Sequence, residues 1–439
     1  MKSKGLLTAS FLLLLLTGVL WWSNKRAAKA DKEPIKSTTT KLVGIPEDQL
    51  QEIEIKRRSG ETVRLQRNDS KWQITAPKSL PADADAVSSM LSTLSSLSSD
   101  RTIEDKATSL EQYGLIQPVI ELDITDKNKK TSKLLVGDDT PAGTAVYAAI
   151  TGDPRVFALS SYKKSSLDKS TNDLRDKRLL TFDSDKVSSI ELTAKKQTIV
   201  FGRSKDEWQI VKPKPFRADR SQVEELLRTL RDAKMDLGAS EDEKKAAAAF
   251  SAGTPLAGAS VTDVSGTHEL QVRKNKDDYY AKSSAVSGIY KISSGTGPAL
   301  DKGLDDFRNK KLFDFGFADP DKIELYDGSK SYFLTRSGSD WWSNGAKMDS
   351  GTVSVLVDKI RNLSATKFPE TGFAASTIDL TVTSDTGKRI EKVLISKNGD
   401  NFVAKRQDEP ALYELTASSV TELQKVAADL KPAPPPSKK

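Results

Sequence analysis

His268 is the one imidazole in the sequence, so a Ser-His-Asp or Cys-His relay would have to run through it. It stands in Gly266-Thr-His-Glu-Leu-Gln-Val272, where polar and apolar residues alternate as in a half-buried strand, and it falls on the polar side. The spacing predicts a solvent-facing strand histidine rather than a general base. The chain has no cysteine, which excludes thiolate nucleophiles, zinc–thiolate and iron–sulfur sites, disulfides and a lipidated-Cys anchor. A histidine-rich metal site is excluded by count. Neither G-x-x-x-x-G-K-[ST] nor a helix-opening G-x-G-x-x-G occurs, and Ser293-Ser-Gly-Thr-Gly297 lacks the spaced lysine and reads as a loop. The carboxylate pairs Asp138/Asp139 and Asp305/Asp306 read as turn and helix-face charges, and nothing favours a glycosidase pair. No catalytic, cofactor-binding or metal-binding residue is assigned, and the expectation is a protein that is not an enzyme.

The aromatic residues are more informative, because they recur. A triplet Ile53-Glu54-Ile55 is echoed by Ile190-Glu191-Leu192 and Ile323-Glu324-Leu325. Trp72, Trp208 and Trp342 follow their triplets by 19, 18 and 19 residues. A large aromatic at one place in each copy reads as a cover for a small sheet. Trp341 adjoins Trp342, and neighbours on a strand face opposite sides. Trp341 is therefore the candidate for an exposed contact. Glu54, Glu191 and Glu324, each between apolar neighbours, read as outward strand positions.

The elements that position these residues also repeat. Asp83, Asp219 and Asp349 each open a helical pattern, with Val87, Val223 and Val353 four residues on and apolar residues at helical spacing after them. Tyr147/Phe157, Tyr280/Tyr290 and Val403/Tyr413 mark late strand pairs ten residues apart. Basic connectors, Leu174-Arg-Asp-Lys-Arg-Leu-Leu-Thr-Phe182 and Phe307-Arg-Asn-Lys-Lys-Leu-Phe-Asp-Phe315, lead from one copy to the next. Turn pairs such as Ser59-Gly60 and Ser337-Gly338 separate alternating strands. Strands and helices segregate, so the fold class is α+β: three tandem repeats of mainly antiparallel sheet plus helices, preceded by one transmembrane helix. The repeats are placed at 42–182, 183–315 and, more divergent, 316–430, with a Pro-rich tail at 431–439.

That helix is read at 5–22, GLLTASFLLLLLTGVLWW, 18 residues without a charge. At 1.5 Å per residue it is roughly as long as the hydrocarbon core is thick. Trp21 and Trp22 sit where an interfacial aromatic belt would lie. Residues 1–4 form a short cytoplasmic start and 23–41 a polar spacer. A cleaved signal peptide is the competing reading. A signal anchor exports the chain on its C-terminal side, which places the body outside the cytoplasm, periplasmic or at the cell surface. Of the formal charge of +7, residues 1–41 hold +6 and 431–439 hold +3, leaving 42–430 at −2. A nucleic-acid binder would carry its basic stripe on the folded body, so nucleic acid is not an expected partner.

Several motifs together resemble one family. They are Trp72-Gln-Ile74 and Trp208-Gln-Ile210, the segment Leu110-Glu-Gln-Tyr-Gly-Leu-Ile-Gln-Pro118, the strand end Leu135-Val-Gly137, and the strands Val146-Tyr-Ala148 and Val156-Phe-Ala-Leu159. This pattern resembles the bacterial domain-of-unknown-function 4340 family, most strongly over 42–182. The resemblance implies a membrane-anchored protein associated with ABC transporters of the gliding-motility type, with transporter subunits as partners and no cofactor. It carries over no site residues. Two other functions stay open at this level: a cell-envelope polysaccharide-binding or adhesion module using exposed aromatics, and an envelope hydrolase working with carboxylates alone.

Overall fold

The computed structural model describes residues 39–204, 207–238 and 243–435. The apolar segment 5–22 with Trp21 and Trp22 lies outside the described residues. Among the described residues no helix is long and apolar enough to cross a membrane.

Three antiparallel sheets succeed one another along the chain, an α+β architecture. In the first, β1 (Leu50–Arg57), β2 (Thr62–Asn68), β3 (Lys71–Ala76) and the short β4 (Leu80–Pro81) form a meander. Helix α1 (Ala84–Ser95) and β5 (Arg101–Glu104) lead into a second meander of β6 (Ile120–Asp126), β7 (Thr131–Asp139), β8 (Ala145–Ile150) and β9 (Val156–Ser160). Antiparallel pairing of β1 with β6 fuses the meanders into one sheet, β4-β3-β2-β1-β6-β7-β8-β9-β5. Helices α2 (Ser161–Leu167) and α3 (Thr171–Leu174) close the repeat.

The second sheet uses β10 (Ser189–Ala194), β11 (Gln197–Ser204), β12 (Glu207–Lys212), β13 (Phe216–Arg217), β14 (Thr254–Asp263), β15 (Gly266–Asn275), β16 (Asp278–Ser283) and β17 (Ile289–Ile292). Its order, β13-β12-β11-β10-β14-β15-β16-β17, repeats the first without the edge strand β5. Helices α4 (Arg220–Arg231), α5 (Glu243–Ala252), α6 (Thr296–Leu300) and α7 (Leu304–Phe307) belong to it. The third sheet uses β18 (Lys322–Asp327), β19 (Lys330–Ser337), β20 (Asp340–Ser343), β21 (Ala346–Lys347), β22 (Ile378–Ser384), β23 (Arg389–Asn398), β24 (Asn401–Arg406) and β25 (Leu412–Leu415) in the corresponding order. Helices α8 (Ser350–Arg361) and α9 (Ala417–Ala428) pack against it and each other.

Period-two alternation sets the two faces of each sheet. Ile53 and Ile55 are fully buried while Glu54 points the other way; Ile190 and Leu192 bracket Glu191, and Ile323 and Leu325 bracket Glu324, in the same manner. The long helix of each repeat covers the inner face. Helix α1 does so with Val87, Met90, Leu91 and Leu94, and α4 with Val223, Leu226 and Leu230. Helix α8 uses Val353, Leu356, Val357 and Ile360. Each of these buried side chains contributes about 1.5–3 kcal/mol relative to exposure. Each helix starts where its Asp accepts otherwise unpaired N–H groups: Asp83 from Asp85 and Ala86 at 3.0 Å, Asp219 from Ser221 at 3.0 Å, and Asp349 from Thr352 at 2.9 Å. The same three aspartates donate their own N–H to the closing segment of their repeat, at Leu174, Phe307 and Lys431.

The connectors divide between neighbouring cores. Leu174 is buried in the first core and Leu179 and Leu180 in the second; Phe307 is buried in the second, Leu312 and Phe313 in the third. A backbone bond pins the start of each repeat behind its long helix: Leu42 N–H to Leu97 O, Leu179 N–H to Ala233 O, and Leu312 N–H to Leu363 O, all within 3.0 Å. The chain divides into two compact units between Lys177 and Arg178, five residues before the boundary read from the sequence. The second unit holds both the second and third sheets.

Candidate functional site

His268 lies on β15 with its side chain 19% exposed. Its Nε2 is 3.0 Å from Ser265 Oγ and 3.5 Å from Asp263 Oδ1. Ser265 Oγ itself donates to Asp263 Oδ1 at 2.6 Å. Serine and aspartate therefore meet the same ring nitrogen, whereas a nucleophilic relay needs them on opposite nitrogens. Asp263 also accepts the N–H of Ser265 and of Asp183 at 2.8 Å. The Ser265 hydroxyl and these N–H groups hold its carboxyl well below the usual range. The cluster ties the β14–β15 hairpin to the incoming connector. Among the described residues, no three His, Asp or Glu side chains converge as a metal site requires.

The densest polar cluster joins the second and third sheets. Arg217, on β13, donates to Glu409 Oε1 at 3.1 Å, to Tyr413 Oη at 3.0 Å, to Lys311 O at 2.5 Å and to Asp314. Arg406, 3% exposed, donates to Glu391 Oε1 at 3.1 Å, to Leu312 O at 2.5 Å and to both oxygens of Asp408. Glu391 in turn accepts the Asp314 N–H at 3.0 Å. Arg308 is stacked between Phe216 and Phe368, its Cζ 4.1 and 3.6 Å from the ring centroids. Burial pushes the Tyr413 phenol up to about 12 and presses Arg308 down. Buried guanidinium groups require carboxylate partners, and here each has one. Sequence reading missed this cluster because its members are about 100 to 200 positions apart in the chain. It fixes two repeats to each other.

The outward faces of the sheets differ in chemistry between the copies. In the first repeat this face is a ladder of charges. Lys56 reaches Asp123 at 2.7 Å and Glu121 at 3.1 Å, Lys133 reaches Glu121 at 2.6 Å, and Arg64 reaches Glu54 at 2.6 Å. The Lys133 bond, against the opposing effect of burial, lowers the Glu121 carboxyl below its ordinary value of 4.5. In the third repeat the same face carries rings.

Here the structure reverses one sequence expectation. Trp341 is 4% exposed and sits in the third core; Trp342 is 39% exposed and faces outward. The reason is register. Arg67 pairs with Trp72, Arg203 with Trp208 and Arg336 with Trp341, so Trp341 is the counterpart of the two core tryptophans. An arginine five residues before each core tryptophan was the signal that distinguishes them. Trp208 is buried and Trp72 half-buried against its core.

Outward from Trp342, the ladder runs to Thr335 on β19 and Lys322 on β18. One side-chain row further along stand Phe333 and its partner Glu324, and one row beyond that Tyr326. Trp342, Phe333 and Tyr326 thus lie on a diagonal across three adjacent strands. Tyr326 is 44% exposed and meets Phe333 edge to face, centroids 5.4 Å apart. The corresponding residues are Gln73, Arg64 and Lys56 in the first repeat and Gln209, Val200 and Thr193 in the second.

Two open grooves lie on the second repeat. One of about 520 Å³ is bordered by Lys195, Lys196, Leu256, Arg273 and Asp301. The other, about 420 Å³, is bordered by Trp208, Arg203, Glu225 and Arg228. Both mix charges of opposite sign.

No curated protein and no solved structure matches the chain. The profile of one family does, that described as Domain of unknown function (DUF4340), over residues 72–209 and again over 208–382. Each match begins at a core tryptophan, Trp72 or Trp208, so the family unit is out of phase with the sheets and runs from one repeat into the next. With both matches together covering well over half of its length, the chain belongs to the DUF4340 family.

Proposed function

We propose that this protein is a non-enzymatic binding scaffold of the cell envelope, held at the membrane by residues 5–22 with its body on the extracytoplasmic side, and that it serves as an accessory of an ABC-transporter complex. One observation carries the binding part of this reading. The residues that recur in all three copies build the fold: Asp83, Asp219 and Asp349 cap helices, Trp72, Trp208 and Trp341 cover cores, and Ile53, Ile190 and Ile323 lie inside. The outward faces differ in chemistry, with charges in the first copy and rings in the third, and a scaffold whose copies share a fold and differ in surface chemistry is suited to present different surfaces. The uncharged run 5–22, ending in Trp21 and Trp22, supports the anchor.

The test is purification of the full-length chain from detergent-solubilised membranes. Stoichiometric co-elution of a transport ATPase and a permease is the expected result. Recovery of the chain in the soluble fraction after cell lysis, with its N-terminal segment removed, contradicts the anchor. Elution from membranes without either transporter subunit contradicts the partner.

A further inference from the structure

We propose that the outward face of the third sheet is a polysaccharide-binding surface, with Trp342 and Tyr326 as stacking platforms and Phe333 between them. This deepens the scaffold reading by naming what one of its surfaces holds. Three independent features of the face point there.

The first is that the aromatic set is confined to one copy. At three equivalent sheet positions the first repeat has Gln73, Arg64 and Lys56 and the second has Gln209, Val200 and Thr193, while the third has Trp342, Phe333 and Tyr326. The fold is built twice without these rings, so the sheet does not require them. Exposing large aromatic surface costs solvation free energy that polar residues at the same positions avoid.

The second is geometry. From Trp342 to Tyr326 is two strands across and four residues along, a span of roughly 16 Å at the usual strand spacing and rise. Phe333, half-buried at the midpoint, braces Tyr326 edge to face. Two exposed rings at the ends of a diagonal over three strands, with a third ring on the strand between them, match an extended chain of rings better than a compact ligand, which would need a concave pocket.

The third is charge. Lys347 pairs with Asp340 at 2.8 Å, Lys392 with Asp379 at 3.7 Å, and Lys322 with Glu324. The charged groups bordering the rings are thus mutually neutralised. A single-stranded nucleic acid would stack on such rings too, but it needs a basic groove along its backbone. The groups left for hydrogen bonding are hydroxyls and satisfied ion pairs, namely Thr335, Thr381, Thr383 and Ser331 on the same face. Aromatic platforms with a hydroxyl-rich, charge-balanced surround suit a neutral sugar polymer: its axial C–H faces stack on the rings and its hydroxyls exchange hydrogen bonds at the edge.

The experiment is affinity electrophoresis of the full-length chain in detergent, through gels carrying a soluble glucan, a xylan, a galactomannan or sonicated peptidoglycan. Retardation by at least one of these is expected, unchanged when salt is raised. In Trp342→Gln and in Tyr326→Thr, which install the residues of the second repeat, retention weakens roughly tenfold or more. Both positions are exposed, so thermal unfolding of the variants stays at the wild-type midpoint and separates lost binding from lost fold. The proposal is overturned if none of the polymers retards the wild-type chain, if retention survives both substitutions, or if it disappears with salt as anion binding would. If the two variants instead lose the transporter subunits, the scaffold reading stands and the polysaccharide surface falls.

Discussion

The outward faces of the first and third repeats are the same piece of sheet used in opposite ways. In the first, Glu54, Lys56, Arg64, Glu121, Asp123 and Lys133 neutralise one another across four strands, β2, β1, β6 and β7. In the third, Trp342, Phe333 and Tyr326 replace Gln73, Arg64 and Lys56. Beneath both faces the arrangement is constant: a central strand with two inward aliphatic side chains, a tryptophan against the core and a helix capped by aspartate. The difference shows that the fold tolerates either surface, so what selects the rings must act from outside the sheet.

Substitutions that treat the two faces, or the two sides of one strand, differently can break that comparison. The largest effect is expected at β20, where adjacent tryptophans face opposite ways. Trp341→Ala should cost about 3–5 kcal/mol, the usual loss for a buried large aromatic. Trp342→Gln should stay within about 0.5 kcal/mol, as exposed substitutions do. Chemical denaturation of the two variants reads this directly, and a reversed ranking would mean the register is wrong. Next comes Arg217→Ala, which leaves Asp314 and Glu409 short of a partner in the cluster between the second and third sheets. Lost hydrogen bonds to charged groups cost roughly 1.5–3 kcal/mol. Calorimetry should show the second unit beginning to unfold in two steps rather than one. The first repeat has Pro81 at the place of Arg217 and is a compact unit by itself.

The caps come third. Asp83→Ala and Asp349→Ala should each cost about 1 kcal/mol. Equal losses in the two repeats would sharpen the view that the shared elements are energetically equivalent. The smallest effect is at Lys133. Its bond holds the Glu121 carboxyl below the ordinary 4.5, so the stability it contributes is present above that value and is lost as pH falls through the lowered one. Lys133→Ala should cost under about 1 kcal/mol at neutral pH, because the pair is partly solvated. Thermal melts from pH 7 to 3 should show a shallower acid decline in the variant than in the wild type. An unchanged acid decline would show that the ladder contributes nothing to the first face.

Much of this fold was legible along the chain because the signals are local. An aspartate followed by apolar residues at helical spacing announces a capped amphipathic helix within a dozen positions, and Asp83, Asp219 and Asp349 each begin one. Alternation in Ile53-Glu54-Ile55 fixes a strand's two faces in the same way. Trp341 and Trp342 were harder. Spacings of 18 and 19 from the triplet serve equally well, and a shift of one residue exchanges the faces. The cross-strand partner Arg336 decides between them, and the sequence carries that hint only as an arginine five residues ahead of the tryptophan. The Arg217–Glu409–Tyr413 cluster was not readable at all, since its parts come from two repeats and no local pattern links them. The diagonal of rings needed the register of three strands before its members could be seen as neighbours.

The most direct test replaces the whole diagonal at once, Trp342→Gln, Phe333→Val and Tyr326→Thr, giving the third sheet the outward residues of the second. Unfolding midpoint and retention by polysaccharide gels are then measured on the same full-length preparation. A midpoint within a few degrees of wild type with retention gone is the predicted pair of results. Collapse of the fold would make the rings structural, and undiminished retention would place the binding surface elsewhere.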